Sequence, residues 1–281
     1  MFVFSTYNQI QKHLKKNSGT LGLVPTMGSL HQGHLSLVQK ALADNDHVIV
    51  SIFINPTQFN NTNDLKKYPQ NIAKDQELLN SIDEKIIVYN PDAGDLYPNQ
   101  VIAKSYDFGS LAFYMEGAFR PGHFNGVATV VEALLRKLKP NRAYFGQKDF
   151  QQLRVIQLLN SQLELGVEII GCHTVRENDG LAMSSRNQML NKEERKAATL
   201  IYKTLEKLSV YRDQRNISQM KAFFIKNIAK EKCLKLEYFF VANPNELIPV
   251  KKIKPNKNFW LYVSVYAGKT RLIDNTELKR L

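Results

Sequence analysis

The stretch Leu21-Gly22-Leu23-Val24-Pro25-Thr26-Met27-Gly28-Ser29-Leu30-His31-Gln32-Gly33-His34 leads from a short apolar run into a segment where Leu35, Leu37, Val38, Ala41 and Leu42 recur at helical spacing. Leu21 to Pro25 reads as a buried strand and the residues from His34 onward as an amphipathic helix. Val48 to Ile54 reads as a second buried strand, which completes a strand, helix, strand unit. Such units close right-handed around a parallel sheet, with the helix start at the carboxyl ends of the strands, where open α/β sheets bind ligands.

The same alternation extends outward from this unit. Helical spacing marks Ile72 to Ile82, Gly126 to Leu138 and Gln151 to Leu163, and strand-like runs mark Lys85 to Tyr89, Ala143 to Phe145 and Val167 to Gly171. Residues 1–176 therefore predict a Rossmann-like, doubly wound parallel α/β domain. After Arg176 the texture changes to Lys- and Glu-rich helical segments at 192–211 and 217–231, then strand-like runs at 235–242, 259–266 and 270–273. That pattern predicts a second, smaller α+β domain over 177–281. Loops at 55–64, 91–99 and 243–258 are rich in turn residues, and the first is a candidate functional loop.

Composition bounds the function. A chain of 281 residues, 43% hydrophobic and 23% charged, can bury a sizeable core without disulfide or metal staples. No run of about 18 apolar residues could span a bilayer, and the start lacks a basic segment followed by a secretory apolar core, so a cytoplasmic location is expected. Cys172 and Cys233 lie far apart and read as buried thiols rather than a zinc or redox pair. The formal charge of +12 points to an anionic ligand such as a nucleotide, a phosphate or a nucleic acid. Much of the excess falls in late Lys-rich segments, which read as solvated helix faces or basic loops. No stripe of basic residues interleaved with aromatics is visible, which argues against nucleic acid as the partner.

Three segments carry chemistry suited to phosphate. In the HxGH stretch, a helix start offers free N–H groups and the positive end of the helix dipole to an anion. Gly28 and Gly33 let a phosphate chain approach the backbone, and His31 and His34 can donate to its oxygens. A bare HxGH also arises by chance in an ordinary turn, but here a strand precedes it and a helix follows it. The second segment, Phe145-Gly146-Gln147-Lys148-Asp149-Phe150-Gln151-Gln152, likewise joins a strand to a helix. In it Lys148 supplies a point charge, Asp149 serves either as a ribose or adenine acceptor or as an N-cap, and Gln152 can hold a polar substrate. The third, Val175 to Asn187, contains Ser184, Ser185 and Arg186, a hydroxyl and guanidinium clamp for phosphate that by itself reads equally as a loop. There is no GxxxxGK[ST] and no GxGxxG at the first βα turn, so Walker-type ATPases and dinucleotide oxidoreductases are disfavoured.

Two further segments suggest an organic substrate. Gln58, in Phe53-Ile54-Asn55-Pro56-Thr57-Gln58-Phe59, sits at a strand end among apolar neighbours. Met115 to Val127 is dense in charge and turn residues just before a helix.

Taken in order, PTMGSLHQGH, SIFINPTQF, EGAFRPGHFNGV, FGQKDFQQ and DGLAMSSRN resemble the pantothenate synthetase family, the pantoate:β-alanine ligases of the HxGH nucleotidyltransferase group. After about residue 195 the resemblance is one of length and general character. It implies that pantoate attacks ATP to give pantoyl adenylate and pyrophosphate, and that β-alanine then displaces AMP. By the match, Met27, Gly28, Ser29, Leu30, His31, Gln32, Gly33, His34, Gly146, Gln147, Lys148, Asp149, Val175, Met183, Ser184, Ser185 and Arg186 contact ATP. His34 is the histidine acting at the transition state, with His31, Lys148, Ser184, Ser185 and Arg186 as further donors. Gln58 and Gln152 hold pantoate, with Gln58 also near β-alanine. The resemblance further implies Mg2+ on the triphosphate, with Asp75 as an indirect ligand, and a homodimer. Family members often carry an acidic residue where this chain has Gln32, and Glu where it has Gln147; neither departure removes a phosphate donor. The nearest rivals are other HxGH adenylyltransferases and aminoacyl-tRNA synthetase-like domains, against which length and the Gln58 and Gln152 segments argue. Whether the smaller domain closes over the site as a lid stays open at this level.

Overall fold

A computed structural model describes residues 1–15, 18–59, 65, 68–97, 101–210, 216–254 and 256–279. Residues 60–64, 98–99, 211 and 255, which belong to three of the loops and one of the helices expected above, lie outside the described residues. The chain divides into two compact units. Unit 1 comprises residues 1–108, 120–147 and 152–173, and unit 2 comprises 109–119, 148–151 and 174–281. A single cut after residue 176 therefore does not separate them, because two short excursions of the first half cluster with the second. Their anchors are specific. Glu116 forms a bidentate pair with Arg271, and Asn275 donates to the Lys148 carbonyl at 2.9 Å.

Unit 1 is built on a six-stranded sheet of β1 (Phe2–Phe4), β2 (Leu21–Thr26), β3 (His47–Ile52), β4 (Ile87–Tyr89), β5 (Arg142–Gly146) and β6 (Glu168–Cys172). Every pairing is parallel and the order is β1-β4-β3-β2-β5-β6. From β2 the chain proceeds to β3 and β4 on one side, and from β5 to β6 on the other, so the winding reverses between β2 and β5. That reversal is the topological switch point, where connections from neighbouring strands diverge and leave a crevice at the carboxyl edge. The expected strands of the first domain correspond to β2 through β6. β1 and the helix Tyr7–Leu14 have no counterpart among the expected elements, because three residues show no periodicity and Phe2 and Val3 remain exposed on an edge strand. The helix Gln32–Asp44 packs Leu35, Val38 and Ala41 against Val24, Val48, Val50 and Tyr144 of the sheet. Full burial of a Leu or Val side chain contributes roughly 1.5–3 kcal/mol, and that of the Ala41 methyl about 0.8 kcal/mol.

Unit 2 contains the antiparallel sheet β7 (Leu234–Ala242), β8 (Trp260–Ala267) and β9 (Thr270–Glu277), in that order. The helices Lys192–Ser209 and Ile217–Ile228 cover it, with Ile201, Leu205 and Phe224 in one core with Phe239, Leu261 and Val263. An Asn191 cap with a reciprocal bond from Glu194 starts the first of these helices. Cys172 and Cys233 are free thiols, and they are half-buried rather than buried as the sequence suggested.

Candidate active site

The HxGH turn leaves β2 beside the switch point. Gly28 and Ser29 both adopt left-handed backbone conformations, with φ of +76° and +52°. For a serine this costs about 1–2 kcal/mol. The strain is held by Asp75, in the first turn of the helix Ile72–Asn80, which accepts the Ser29 N–H at 2.8 Å and the Leu30 N–H at 2.7 Å. Hydrogen bonds to a charged group contribute roughly 1.5–3 kcal/mol each, so the pair outweighs the strain. A Cβ on Gly28 would come within 2.9 Å of Asp75 Oδ2, so glycine is required there twice over, by conformation and by space. The Ser29 and Leu30 N–H groups are thus directed at a protein carboxylate, which narrows the anion-binding role of this loop to its remaining donors.

His31 caps the helix Gln32–Asp44, its Nδ1 accepting the Gly33 N–H at 3.1 Å. An accepting nitrogen carries no proton, so the neutral ring is protonated on Nε2. The His31 and His34 rings lie 4.0 Å apart, which makes the two imidazoles one paired group on the first helical turn.

Gln58 ends the short turn Pro56–Gln58 that follows β3. Its Nε2 donates to Met27 Sδ at 2.7 Å, so the loop after β2 and the turn after β3 meet. Residues around it fix this turn, and the sequence does not single them out. Asn55 donates to the Gly126 carbonyl at 3.0 Å and accepts from Thr57 and Tyr97. His123 Nδ1 donates to the Gln58 carbonyl at 2.9 Å, while Arg120 donates to its Nε2 at 3.0 Å. A guanidinium only donates and a carbonyl only accepts, so this ring is the Nδ1–H tautomer. Gly126 makes the approach possible, since a Cβ there would fall 2.2 Å from the Thr57 carbonyl oxygen. The signal for these residues lies in the dense segment before the helix His123–Leu138, but nothing in it ranks one residue above another.

At the end of β5, Gly146 has open space where a Cβ would project. The turn Gln147–Asp149 leads into the helix Phe150–Gln162, and the two glutamines on its first turn have different fates. Gln151, in unit 2, is buried and uses its whole amide, donating to the Leu111 and Tyr114 carbonyls and accepting the Glu116 N–H. Gln152, in unit 1, is half-buried, and its side chain makes no hydrogen bond among the described residues. Of the two, Gln151 has its side-chain amide committed to the fold.

The remaining candidates are gathered on unit 2. Lys148 Nζ lies 3.6 Å from Asp149 Oδ1. Val175 accepts the Met183 N–H at 3.1 Å and Arg176 bridges to Ala182, closing a small hairpin whose tip turns at Gly180 with φ of +94°. The chain then enters the turn Ser185–Met189, with the Ser184 hydroxyl as its cap, accepting the Arg186 N–H at 3.3 Å. Arg176 holds this hairpin through a bidentate pair with Asp274 at 2.7 and 3.0 Å, and its guanidinium stacks 3.6 Å over the Tyr202 ring. Unit 1 thus brings together Met27, His31, His34, Gln58 and Asp75, and unit 2 brings together Val175, Met183, Ser184, Ser185 and Arg186.

For a metal the fit is poor at Asp75. Both its oxygens accept N–H groups and it is only 2% exposed, so it does not suit direct coordination of Mg2+. Among the described residues no group of three or more His, Cys, Asp or Glu side chains is placed to hold a metal ion.

A parallel sheet whose switch point carries an HxGH turn on one strand and a Gly-Gln-Lys-Asp turn on its neighbour defines an α/β enzyme of the nucleotide-binding class. Known proteins narrow the class. The profile of the family described as Pantoate-beta-alanine ligase matches residues 2–277. The pantothenate synthetase of Flavobacterium psychrophilum is 40% identical over 99% of this chain and 100% of its own. That of Christiangramia forsetii is 45% identical over 96% of this chain and 95% of its own. Among solved structures, the pantothenate synthetase of Thermus thermophilus is similar with a TM-score of 0.91 at 36% identity, covering 100% of both chains. The Francisella tularensis pantoate-beta-alanine ligase, complexed with beta-gamma ATP and beta-alanine, has a TM-score of 0.83 at 35% identity, covering 100% of this chain and 99% of its own. The chain belongs to the pantoate–β-alanine ligase family.

Proposed function

We propose that the chain condenses pantoate with β-alanine at the switch point of its parallel sheet, using ATP, through a pantoyl adenylate. Membership of the ligase family supports the reaction. The observation that supports this placement is the contact of Gln58 with Met27, which joins the segments to which the resemblance assigns pantoate and ATP. In the first half, a pantoate carboxylate oxygen bonds to the α-phosphorus as the bond to the bridging oxygen breaks, and pyrophosphate leaves. In the second, the β-alanine amine bonds to the acyl carbon and loses a proton as AMP leaves with the former carboxylate oxygen.

Negative charge builds on phosphoryl oxygens in the first half, and prepositioned donors act most strongly on developing charge. His31 presents the proton fixed on Nε2 by its cap bond, and His34 stands beside it as the donor at the α-phosphoryl. The family resemblance supports Lys148, Ser184, Ser185 and Arg186 as further donors. The ATP contacts that the resemblance supports extend over Met27–His34, Gly146–Asp149, Val175 and Met183, with the Ser29 and Leu30 N–H groups reserved for Asp75. Gln58 and Gln152 orient pantoate so that its carboxylate attacks in line. Asp75 shapes the loop that carries the histidines; a divalent cation, if it accompanies ATP, would neutralise phosphate charge, with Asp75 acting on it only indirectly. The family resemblance supports a homodimer, which a solution mass measurement tests. A cytoplasmic site of action accords with the use of ATP, and no helix among the described residues is long and apolar enough to cross a membrane.

Pyrophosphate release should require both ATP and pantoate, and AMP should appear only when β-alanine is added. Pyrophosphate release without pantoate would overturn this reading.

A further inference from the structure

We propose that Asn275 is a positioning residue for Lys148, tying it to the same framework that holds the Ser184–Arg186 segment. Asn275 lies on β9 and is 5% exposed. Its Nδ2 donates to the Lys148 carbonyl at 2.9 Å. Its own carbonyl accepts from Arg176 Nη2 at 3.3 Å, and its N–H donates to Asp274 Oδ1 at 2.8 Å. Arg176 in turn pairs with Asp274 and donates to the Gly180 carbonyl at 3.2 Å, inside the hairpin that runs into Ser184.

Two neighbouring residues of one strand therefore fasten two stretches of chain far apart in sequence. The need is physical. Lys148 begins a four-residue excursion, 148–151, whose neighbours on either side belong to unit 1. Its far end is held by the Gln151 amide and its near end by Asn275. A lysine side chain is a flexible point charge, so its ammonium is only as well placed as the main chain beneath it. Prepositioned donors contribute to rate in proportion to how little they must move when charge develops. Asn275 acts through the main chain of Lys148.

The proposal rests on the reading of Lys148 as a phosphate donor, and the two half-reactions separate it from a general effect on the fold. Pantoate-dependent exchange of pyrophosphate into ATP reports adenylation, and its loss in Lys148→Met protein, with Asn275 intact, tests that reading by itself. Aminolysis of supplied pantoyl adenylate by β-alanine reports the second half, in which no pyrophosphate leaves. Asn275→Asp keeps the shape and replaces the donor with an acceptor facing a carbonyl. It should slow exchange by ~10–100-fold, with pantoate KM within about twofold and aminolysis within about twofold of wild type. Asn275→Ser, which keeps a short donor, should recover part of the exchange rate, and it carries the test if the aspartate variant does not fold. Equal losses in both half-reactions, or unchanged exchange in a folded variant, would overturn the proposal.

Discussion

Asp75 and Asp274 are both nearly inaccessible to water, 2% and 5% exposed, yet they hold their segments by different means. Asp75 accepts two backbone N–H groups from the loop after β2, with a glycine and a strained serine shaped to reach it. Asp274 binds a guanidinium, and that guanidinium holds the hairpin and stacks on Tyr202. The first anchor grips main chain and so fixes backbone shape directly. The second works through a side chain, so the hairpin depends on a buried ion pair whose removal leaves a charge without compensation.

The largest effect should come from breaking that pair. Arg176→Met strands the Asp274 carboxylate and should lower stability by about 3–5 kcal/mol in urea unfolding. Adding Asp274→Leu should restore part of the loss; no recovery in the double variant would mean that the guanidinium acts mainly by stacking. Next comes His34→Ala, expected to reduce kcat by ~100–1000-fold with little change in unfolding midpoint, as for other donors to developing charge. A near-normal kcat would assign the transition-state role elsewhere.

Neighbouring glutamines sharpen the contrast further. Gln152→Ala should raise pantoate KM by about tenfold without loss of stability, whereas Gln151→Ala leaves buried carbonyls and an N–H unpaired and should cost about 1–3 kcal/mol. Reversed outcomes would exchange their roles. The smallest effect concerns pH. Burial raises the Asp75 carboxyl above its ordinary 3.8, against the pull of the Leu30 and Ser29 N–H groups and Lys74. A raised value means that the folded state holds the proton more tightly than the unfolded chain, so this group's contribution falls as pH climbs from 3.8 through the raised value. The stability of wild type relative to Asp75→Asn should therefore decline from acid toward neutral pH. A difference that grows with pH would show that the two N–H bonds outweigh desolvation.

The contrast also explains which parts were legible in the chain. The strand, turn and helix contexts of the HxGH turn and of the segments holding Gln58 and Gln152 are readable because those elements succeed one another within a few residues, and local periodicity and turn chemistry report them. The family resemblance offers Asp75 as an indirect metal ligand; its grip on a left-handed turn 46 residues earlier leaves no trace in spacing. His123, Arg120 and Asn55 lie in segments marked as informative, yet only the fold ranks them, by their hold on the Gln58 turn. Arg176, Asp274 and Asn275 give no signal, since Arg176 and Asp274 stand 98 residues apart and a lone Arg or Asn resembles any surface residue.

Sequence alone determined the alternation of strands β2 to β6 with helices and the parallel sheet it implies, because burial patterns and turn residues act over one or two turns of chain. Tertiary structure decided which strands flank the switch point, which of two adjacent glutamines is free to bind, and which buried groups hold each donor in place. Those outcomes depend on pairings between distant residues, whose energies come from burial and exclusion of water that exist only once the chain has folded.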